Sequence, residues 1–559
     1  MWIGRIGEFL ERHREGCNSL FMAVALVCAA AILLGVYFVP QASGPGLTEE
    51  LFRALEWDLV DEQGHVVSNL LKMKREGGIA LGLRGKFEFS GNGTLRITLT
   101  KPPQELQFRI PEVSAEGGRH RIAGQDAQHR VFQLRERLSH TRRLLLCLAG
   151  ALSLCALLIR LPLLFGVVLS RAEALGLSLI AFLGLAAYGR FIFSTQVNGL
   201  SWWMRETAFR HVKNGLAYTK GLDIASDSPA PLSFGVLGGH HPPGLGLFLA
   251  GIYGFFGAHE QDLIVIWIVP LFFHALGAVS FYVLLRNLAG PAQGLCALAF
   301  YLLLPMSIFH GRAASHESVT MGLAMTGLCL AVFYLKRGNP GVLYGAPIVF
   351  AIACFMGWPA YFYCAAIGVG ALFFHDAPAR RRRVLLLSLG AMSSIVCMLV
   401  FLQHQVLLGS IQALLHAGSR RMGSGGVDEF GYEPYTWTQW ADKVLEIAVK
   451  HTFGLPLILC ALLGAVLMAR RLDRQGWYAG AWVLGVTTFV AMLHMVLFHF
   501  GSWVHDYWSF YFIPPFAIAL SSIPFEAFKS RGLRIASVVV LGVLTVYTLQ
   551  KLLPALGAI

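Results

Sequence analysis

The chain has 559 residues, of which 55% are hydrophobic and only 14% are charged, and its mean hydropathy is +0.59. A soluble protein cannot bury that much apolar surface, so the composition excludes a soluble enzyme. It predicts membrane-spanning helices, because a run of about 20 apolar residues in lipid must satisfy its own backbone hydrogen bonds. The net charge of +13 indicates basic cytoplasmic loops and contact with anionic lipid, and we expect no nucleic acid partner.

The N-terminal quarter of the chain changes character twice. Residues 1–44 contain a basic tail, which we expect in the cytoplasm, and a first transmembrane helix near 20–40. Residues 45–140 are polar, and the runs 79–91 and 94–110 have the composition and the alternation of strands. They predict a small, mainly-β extracytoplasmic domain inserted near the N-terminus, which we interpret as a lid or a partner-binding module.

The remaining residues, 141–559, predict an all-α multi-helix membrane core. A second helix is expected near 144–160, then a segment along the cytoplasmic interface over 160–176, and a third helix near 175–193. Further apolar segments lie near 262–285, 293–309, 317–335, 341–356, 360–374, 384–403, 453–469, 477–498, 507–524 and 535–552. The fold class is therefore a polytopic all-α membrane protein with about 13 transmembrane helices and one small β domain.

The distribution of basic residues predicts which loops face the cytoplasm. Clusters such as Arg286, Lys336-Arg337 and Arg380 to Arg383 fall on one side of this topology, whereas Arg312 is the only basic residue besides histidines in the short connections on the other side. Cytoplasmic loops carry the excess of lysine and arginine. The loops 195–261, 309–317, 404–452 and 499–507 are thus expected on the extracytoplasmic face.

Nine of the ten cysteines fall in apolar runs, and Cys17 lies in the N-terminal tail. This distribution predicts neither a disulfide framework nor a cysteine metal site. We expect helix packing alone to hold the fold.

The extracytoplasmic loops concentrate the side chains that can do chemistry. The candidates are Arg205, Glu206, Arg210, His240 and His241 in the first loop, Arg312, His316 and Glu317 in the second, and His505 and Tyr507 in the last. A carboxylate can act as a general base, and arginine can hold a phosphate leaving group. Histidine with carboxylate can also bind a divalent metal ion, although no HExxH spacing is present.

Each of these residues also has a purely structural interpretation. Glu206 can be a solvated loop acid, and His240-His241 before Pro242-Pro243 can form a rigid turn. Arg312, His316 and Glu317 can pair with one another. Ionisable groups at the ends of membrane helices are nevertheless functional candidates.

The order of these features resembles the class C membrane glycosyltransferases, specifically the branch of protein O-mannosyltransferases and aminoarabinose transferases. That branch has Asp-Glu after a helix in its first outer loop, where this chain has Arg205-Glu206, so only Glu206 carries over. The branch then has a turn ending in Pro-Pro, matched by His241-Pro242-Pro243, and a second acid in the next outer turn, matched by Glu317. The resemblance covers roughly 170–525.

The resemblance implies transfer of a sugar from a polyprenyl-phosphate donor to a protein, lipid or glycan acceptor, outside the cytoplasmic membrane of a bacterium. Arg210, His241 and Arg312 would hold the phosphate, and Glu206 or Glu317 would deprotonate the acceptor. Arg205, His240, His316, His505 and Tyr507 would complete the binding site. No cofactor is required by this scheme, and a divalent metal ion stays open.

Two other functions are compatible with the sequence. The first is a transporter or flippase of a lipid-linked or small anionic substrate, which would need ionisable residues in mid-helix and paired broken helices. The second is an assembly subunit whose β domain recruits a partner.

Overall fold

The computed structural model describes residues 85–89, 94–100, 103–109, 167–192, 199–214, 241–256, 264–408, 411–422, 435–475 and 478–552. The chain divides into two compact units. One comprises residues 1–149 and 226–229, and the other comprises 150–225 and 230–559. The strands described below belong to the first unit and the helices to the second.

The first unit contains a three-stranded antiparallel sheet. Its strands are β1 (Gly85–Phe89), β2 (Thr94–Thr100) and β3 (Pro103–Arg109), in the order β1-β2-β3. The run 94–110 therefore forms two strands and not one, because Pro103 starts a new strand and pairs with Thr100 across a tight reversal. The rest of the predicted 45–140 domain and the first two predicted helices lie outside the described residues.

The second unit is helical. Its helices are α1 (Arg171–Ile192), α2 (Gly199–Asn214), α3 (Gly244–Phe256), α4 (Ile264–Ala289), α5 (Pro291–Leu303), α6 (Pro305–His310), α7 (His316–Arg337), α8 (Pro340–Met356), α9 (Pro359–Ala371), α10 (Ala379–Leu408), α11 (Gln412–Arg421), α12 (Trp437–Ile447), α13 (Leu455–Gln475), α14 (Tyr478–Leu497), α15 (His499–Val504), α16 (Ile513–Ala527) and α17 (Arg531–Leu552). A π-helical turn over Ala448–Thr452 follows α12, and a 3₁₀ helix over Asp506–Phe512 leads into α16.

Six of the described helices are long and apolar enough to cross a membrane, or seven if one bent pair counts as a single span. The six are Val269–Ala289, His316–Arg337, Ala379–Val406, Tyr478–Leu497, Asp506–Ala527 and Arg531–Leu552. This architecture is that of an all-α membrane protein, as the composition predicts. The total of about 13 spans stays a prediction.

All ten apolar segments predicted after residue 260 coincide with helices. The segment near 293–309 is broken at Leu304, because Pro305 starts the short helix α6. Of the interfacial segment predicted over 160–176, residues 160–166 lie outside the described residues, and residues 171–176 belong to the third predicted helix, which begins earlier than expected. Helix α1 begins at Arg171, since Ser170 and Glu173 form reciprocal side-chain-to-backbone bonds of 2.9 and 3.3 Å that start a helix.

Two regions predicted as loops contain helices. The loop 195–261 holds α2 and α3, and the loop 404–452 holds the end of α10 together with α11 and α12. Helix α3 is short and glycine-rich, with the sequence GLGLFLAGIYGFF, so it lacks the length of a spanning helix. The polar composition of α2 and α11 is typical of loops as well as of surface helices.

Helix α7 is the centre of the core, because nearly all of its apolar window is buried. It crosses α4 where Gly277 meets Gly322, and a Cβ atom at Gly322 would lie 2.0 Å from the carbonyl oxygen of Phe273. Small residues let two helix backbones approach closely in a membrane. By contrast, α10 and α17 are largely exposed and form the periphery.

Basic residues hold the helix ends on one side of the core. Arg286 at the end of α4 pairs with Glu173 at the start of α1, with Nε 2.5 Å from Oε1. Arg381 at the start of α10 donates to the carbonyls of Leu335 and Lys336 at the end of α7. Arg471 near the end of α13 pairs with Glu526 near the end of α16 at 2.8 Å. These ends form the basic side of the helical core.

The six cysteines within the described ranges are all free thiols. The thiols of Cys354 and Cys364 are in contact, with their Sγ atoms 3.8 Å apart, but they are not bonded. The helices of this part of the chain are therefore held together without disulfide bonds.

Candidate active site

A cavity of about 210 Å³ lies at the helix ends opposite the basic side. Its wall combines polar residues with a larger number of aromatic and aliphatic ones. The lining residues are His241, His316, Glu317, Trp358, Pro359, Phe401, Leu414, Leu415, Gly418, Met422, His494, Phe498 and Trp508. The start of α3, the start of α7 and the α8–α9 turn thus meet the ends of α10 and α14, although they are far apart in sequence.

The two histidines on the polar wall are stacked. The rings of His241 and His316 are 4.2 Å apart between centroids and inclined by 11°. His316 Nδ1 lies 2.6 Å from the carbonyl oxygen of Met356, which can only accept, so Nδ1 carries a hydrogen and donates it. In the neutral ring, the other nitrogen, Nε2, then carries the lone pair and can only accept a hydrogen bond.

Glu317 lies in the first turn of α7 and is 7% exposed. The helix begins at Ser315, whose side chain accepts a hydrogen bond from the backbone of Ser318 at 3.3 Å. The start of a helix has a partial positive charge, which stabilises a carboxylate or a bound phosphate there. Glu317 thus presents its carboxyl group to the cavity at a helix end that stabilises the ionised form.

A second part of the cavity wall is aromatic. His494 at the end of α14 is 4% exposed and packs against Trp508, with ring centroids 4.5 Å apart. Trp508 in turn covers Gly501, where a Cβ atom would lie only 1.9 Å from the indole. Glycine at this position of α15 is therefore required for Trp508 to reach the cavity.

A third wall is aliphatic and comes from the peripheral helices α10 and α11. Phe401 lies near the end of α10, and Leu414, Leu415 and Met422 belong to α11 or follow it directly. Leu415 is 53% exposed and Met422 is 39% exposed. Apolar side chains that line a cavity and remain exposed are suited to an apolar ligand segment that reaches the cavity from lipid.

The turn between α6 and α7 directly precedes His316 and Glu317, and it places Arg312 beside the buried His310. His310 is 5% exposed, and its ring centroid is 6.2 Å from that of Tyr507. Burial, together with the nearby Arg312 guanidinium, lowers the pKa of His310 to about 4, against the opposing effect of Asp506. Burial also lowers the pKa of Arg312 to about 10. Arg312 stays a cation at neutral pH, and His310 stays neutral.

The structure brings together three of the ten predicted site residues: His241, His316 and Glu317 line the same cavity. Five others are described but are not among the residues that line it. Arg205 and Arg210 lie on α2, Arg312 lies in the α6–α7 turn, and His505 and Tyr507 stack on each other with centroids 4.8 Å apart. The side chain of Glu206 on α2 and the whole of His240 lie outside the described residues.

Sequence reasoning missed His494 and Trp508. Their neighbours in the 499–507 turn were identified, but His494 lies five residues upstream in an apolar run. His494 could have been recognised as an ionisable residue in the last turn of a predicted membrane helix, at its outer end. Phe401 and the residues of α11 have no such signal, since an apolar residue in a membrane protein is unremarkable by itself.

Within the described ranges, no group of three or more His, Cys, Asp and Glu residues is arranged to hold a metal ion. A search of protein families and of curated protein sequences finds no match for this chain. The function is therefore inferred from the chemistry of the cavity.

Proposed function

We propose that this protein is an integral-membrane glycosyltransferase that moves a sugar from a polyprenyl-phosphate donor to a protein, lipid or glycan acceptor. The observation that carries the proposal is the composition of the cavity: Glu317 and two stacked histidines line the same cavity as aliphatic side chains from α11. A polyprenyl-phosphate sugar has an anionic, sugar-bearing head that suits the polar residues and a long apolar tail that suits the aliphatic ones.

The arrangement of the basic helix ends supports an extracytoplasmic site. On α7, His316 and Glu317 are at the first turn, whereas Lys336 and Arg337 are in the last. The 22 residues of that helix separate the two ends by about 33 Å, the thickness of a bilayer core. If the basic side is cytoplasmic, the cavity opens to the outer leaflet, where no nucleotide sugar is available.

The proposed reaction is a single displacement at the anomeric carbon. Glu317 removes the proton from the acceptor hydroxyl or amine as that atom forms its bond to the anomeric carbon. The bond from the anomeric carbon to the phosphate oxygen breaks, and its electron pair leaves with the polyprenyl phosphate. His241 donates a hydrogen bond to a phosphate oxygen, His316 holds the His241 ring in place by stacking, and the partial positive charge of the start of α7 favours the same anion. One displacement inverts the configuration.

The test uses the full-length protein in phospholipid vesicles with a panel of polyprenyl-phosphate hexoses and pentoses, each isotopically labelled in the sugar. We expect at least one donor to release polyprenyl phosphate and to label an acceptor. Glu317→Gln should lower the rate by a factor of about 10² to 10⁴ without changing the thermal unfolding midpoint. Glu206→Gln tests the second candidate base in the same way. Wild-type rates in both variants would exclude a carboxylate base at either position.

A transporter or flippase is the second candidate, and one observation favours it. Helix α12 with its π-helical turn and helix α13 are together long and apolar enough to cross a membrane. They are bent by 107° at the break between them. Broken helices are common in transporters, where they occur in matching positions of two repeats. Movement of a labelled lipid-linked sugar across protein-containing vesicles, with no glycosylated product, would favour this function over transfer.

A further inference from the structure

Helix α12 has two different apolar faces. At 100° per residue, Trp437, Ala441 and Leu445 fall on one stripe, and all three are exposed. Trp437 is 60% exposed and Leu445 is 58% exposed. Trp440 and Ile447 fall on the adjacent stripe, which is turned toward the protein. The remaining arc is polar, so one apolar stripe of this helix is left for a partner.

The angle of α12 indicates what that partner is. The next helix, α13, is one half of the bent pair, and the bend of 107° turns α12 almost perpendicular to it. Gly454 fixes the bend, because its φ of 80° is left-handed and its amide donates to the carbonyl of Ala448 at 3.0 Å. If α13 crosses the bilayer, then α12 runs along the membrane surface.

Contacts with α15 join α12 to the aromatic wall of the cavity. Tyr435, just before α12, bonds through its hydroxyl to His499 Nδ1 at 2.7 Å. Trp440 Nε1 donates to the Ser502 hydroxyl at 2.8 Å. His499 follows Phe498, which lines the cavity, and Ser502 follows Gly501, against which Trp508 packs.

We propose that α12 is an interfacial helix, whose Trp437–Ala441–Leu445 stripe is buried at the boundary between the headgroups and the acyl chains, and that lipid contact there positions the aromatic wall of the cavity. Tryptophan is enriched at this depth, and an amphipathic helix lies in the interface with its apolar face in lipid. The inference does not depend on the reaction proposed above.

The test is photolabelling in vesicles of phosphatidylethanolamine and phosphatidylglycerol. Two phospholipid probes are compared, one with a diazirine next to the glycerol and one with a diazirine at the end of the acyl chain. Adducts are mapped by mass spectrometry. We expect the first probe to label α12 at least about fivefold more than the second. Residues 538–543 in the middle of α17, several of them exposed valines, should show the reverse preference and serve as the internal control.

Two outcomes would overturn the proposal. If neither probe labels α12 while both label α17, another protein segment covers the stripe. If α12 shows the preference of the α17 centre, it lies within the hydrocarbon core.

Matched variants test the stripe itself. Leu445→Asp should lower labelling of α12 by the first probe roughly fivefold, because it replaces an apolar contact with lipid by a charge. Gln439→Glu, which adds a negative charge in the middle of the polar arc and keeps a capping-box residue, should leave labelling unchanged. Trp437→Gln is the second stripe variant, and the α17 pattern reports whether each variant is folded. Unchanged labelling in both stripe variants would overturn the proposal.

Discussion

His241 and His316 stack with nearly parallel rings, 4.2 Å apart, although they belong to the starts of two different helices. The stack is held on one side by the bond from His316 Nδ1 to Met356 in the α8–α9 turn. The stack with His316 beside Glu317 holds His241, a hydrogen-bond donor, in a position that does not change when a substrate binds, which is what stabilisation of a leaving phosphate requires.

His241→Phe separates the stacking role of His241 from its hydrogen-bonding role. The phenyl ring preserves an aromatic stack on His316, so we expect the thermal unfolding midpoint to be unchanged. Transfer should fall about 10²-fold, because the donor to the phosphate is lost. His241→Ala should lose both stability and transfer. Full transfer by the Phe variant would show that His241 only supports the neighbouring ring.

Gly501→Ala tests the contact that brings Trp508 to the cavity. The added methyl would lie 1.9 Å from the indole, so Trp508 or α15 must shift. We expect a loss of about 1–3 kcal/mol of stability and a lower rate of transfer. Gly485→Ala is the matched control, since no atom lies within 4 Å of its added Cβ. Alanine is favoured over glycine inside a helix, so the control should unfold at the same temperature or higher.

Glu173→Gln tests the ion pair on the basic side. The Glu173 carboxylate accepts from Arg286 Nε at 2.5 Å and from the Tyr282 hydroxyl at 3.0 Å. An uncharged amide keeps the shape but weakens a charged hydrogen bond, at a cost of about 1–3 kcal/mol. Glu446→Gln, which breaks an exposed ion pair with Lys443 and Lys450, should leave stability essentially unchanged, because water screens exposed charges. Equal effects would contradict a special role for Glu173.

His310 predicts a dependence of stability on pH. Its pKa is lowered to about 4 in the folded protein, chiefly by burial, whereas an unfolded histidine titrates near 6.5. Between these values the unfolded chain binds a proton that the folded protein does not. Stability is therefore complete above about pH 6.5 and falls as the pH is lowered toward 4, by up to about 1.4 kcal/mol per pH unit.

His310→Gln removes this titration, so the decrease in unfolding midpoint between pH 7 and pH 5 should become smaller than in the wild type. His375→Gln, at an exposed position, is the control and should leave the decrease unchanged. A wild-type pH dependence in His310→Gln would assign the effect to another group.

Local composition was sufficient to locate most of the helices. Each segment of about 20 apolar residues after residue 260 coincides with a helix, because a long apolar run has few other stable forms in a membrane. The exceptions share a cause. Helix α3 is short and rich in glycine, and α2, α11 and α12 are polar or amphipathic, so local composition did not distinguish them from loops.

The candidate site was only partly predictable. His241, His316 and Glu317 were identified because ionisable groups next to membrane helices are rare and expensive to bury. His494 lies within an apolar run, and Leu414 and Phe401 are ordinary apolar residues, so their position on the cavity wall depends on which helices are neighbours. Arg312 lies five residues from Glu317 in sequence, yet it is not among the residues that line the cavity.

The sequence by itself determined the class of the protein, the positions of its long helices and the clustering of polar side chains at certain helix ends. These properties follow from the free energy of transferring each segment from water to lipid, which depends on the composition of that segment alone. Only the tertiary structure decided that the starts of α3 and α7 face the ends of α10 and α14 around one cavity, and that α12 turns away from α13. Those relations depend on close packing at residues such as Gly322, Gly454 and Gly501, where the missing side chain matters only once its neighbour across the interface is known.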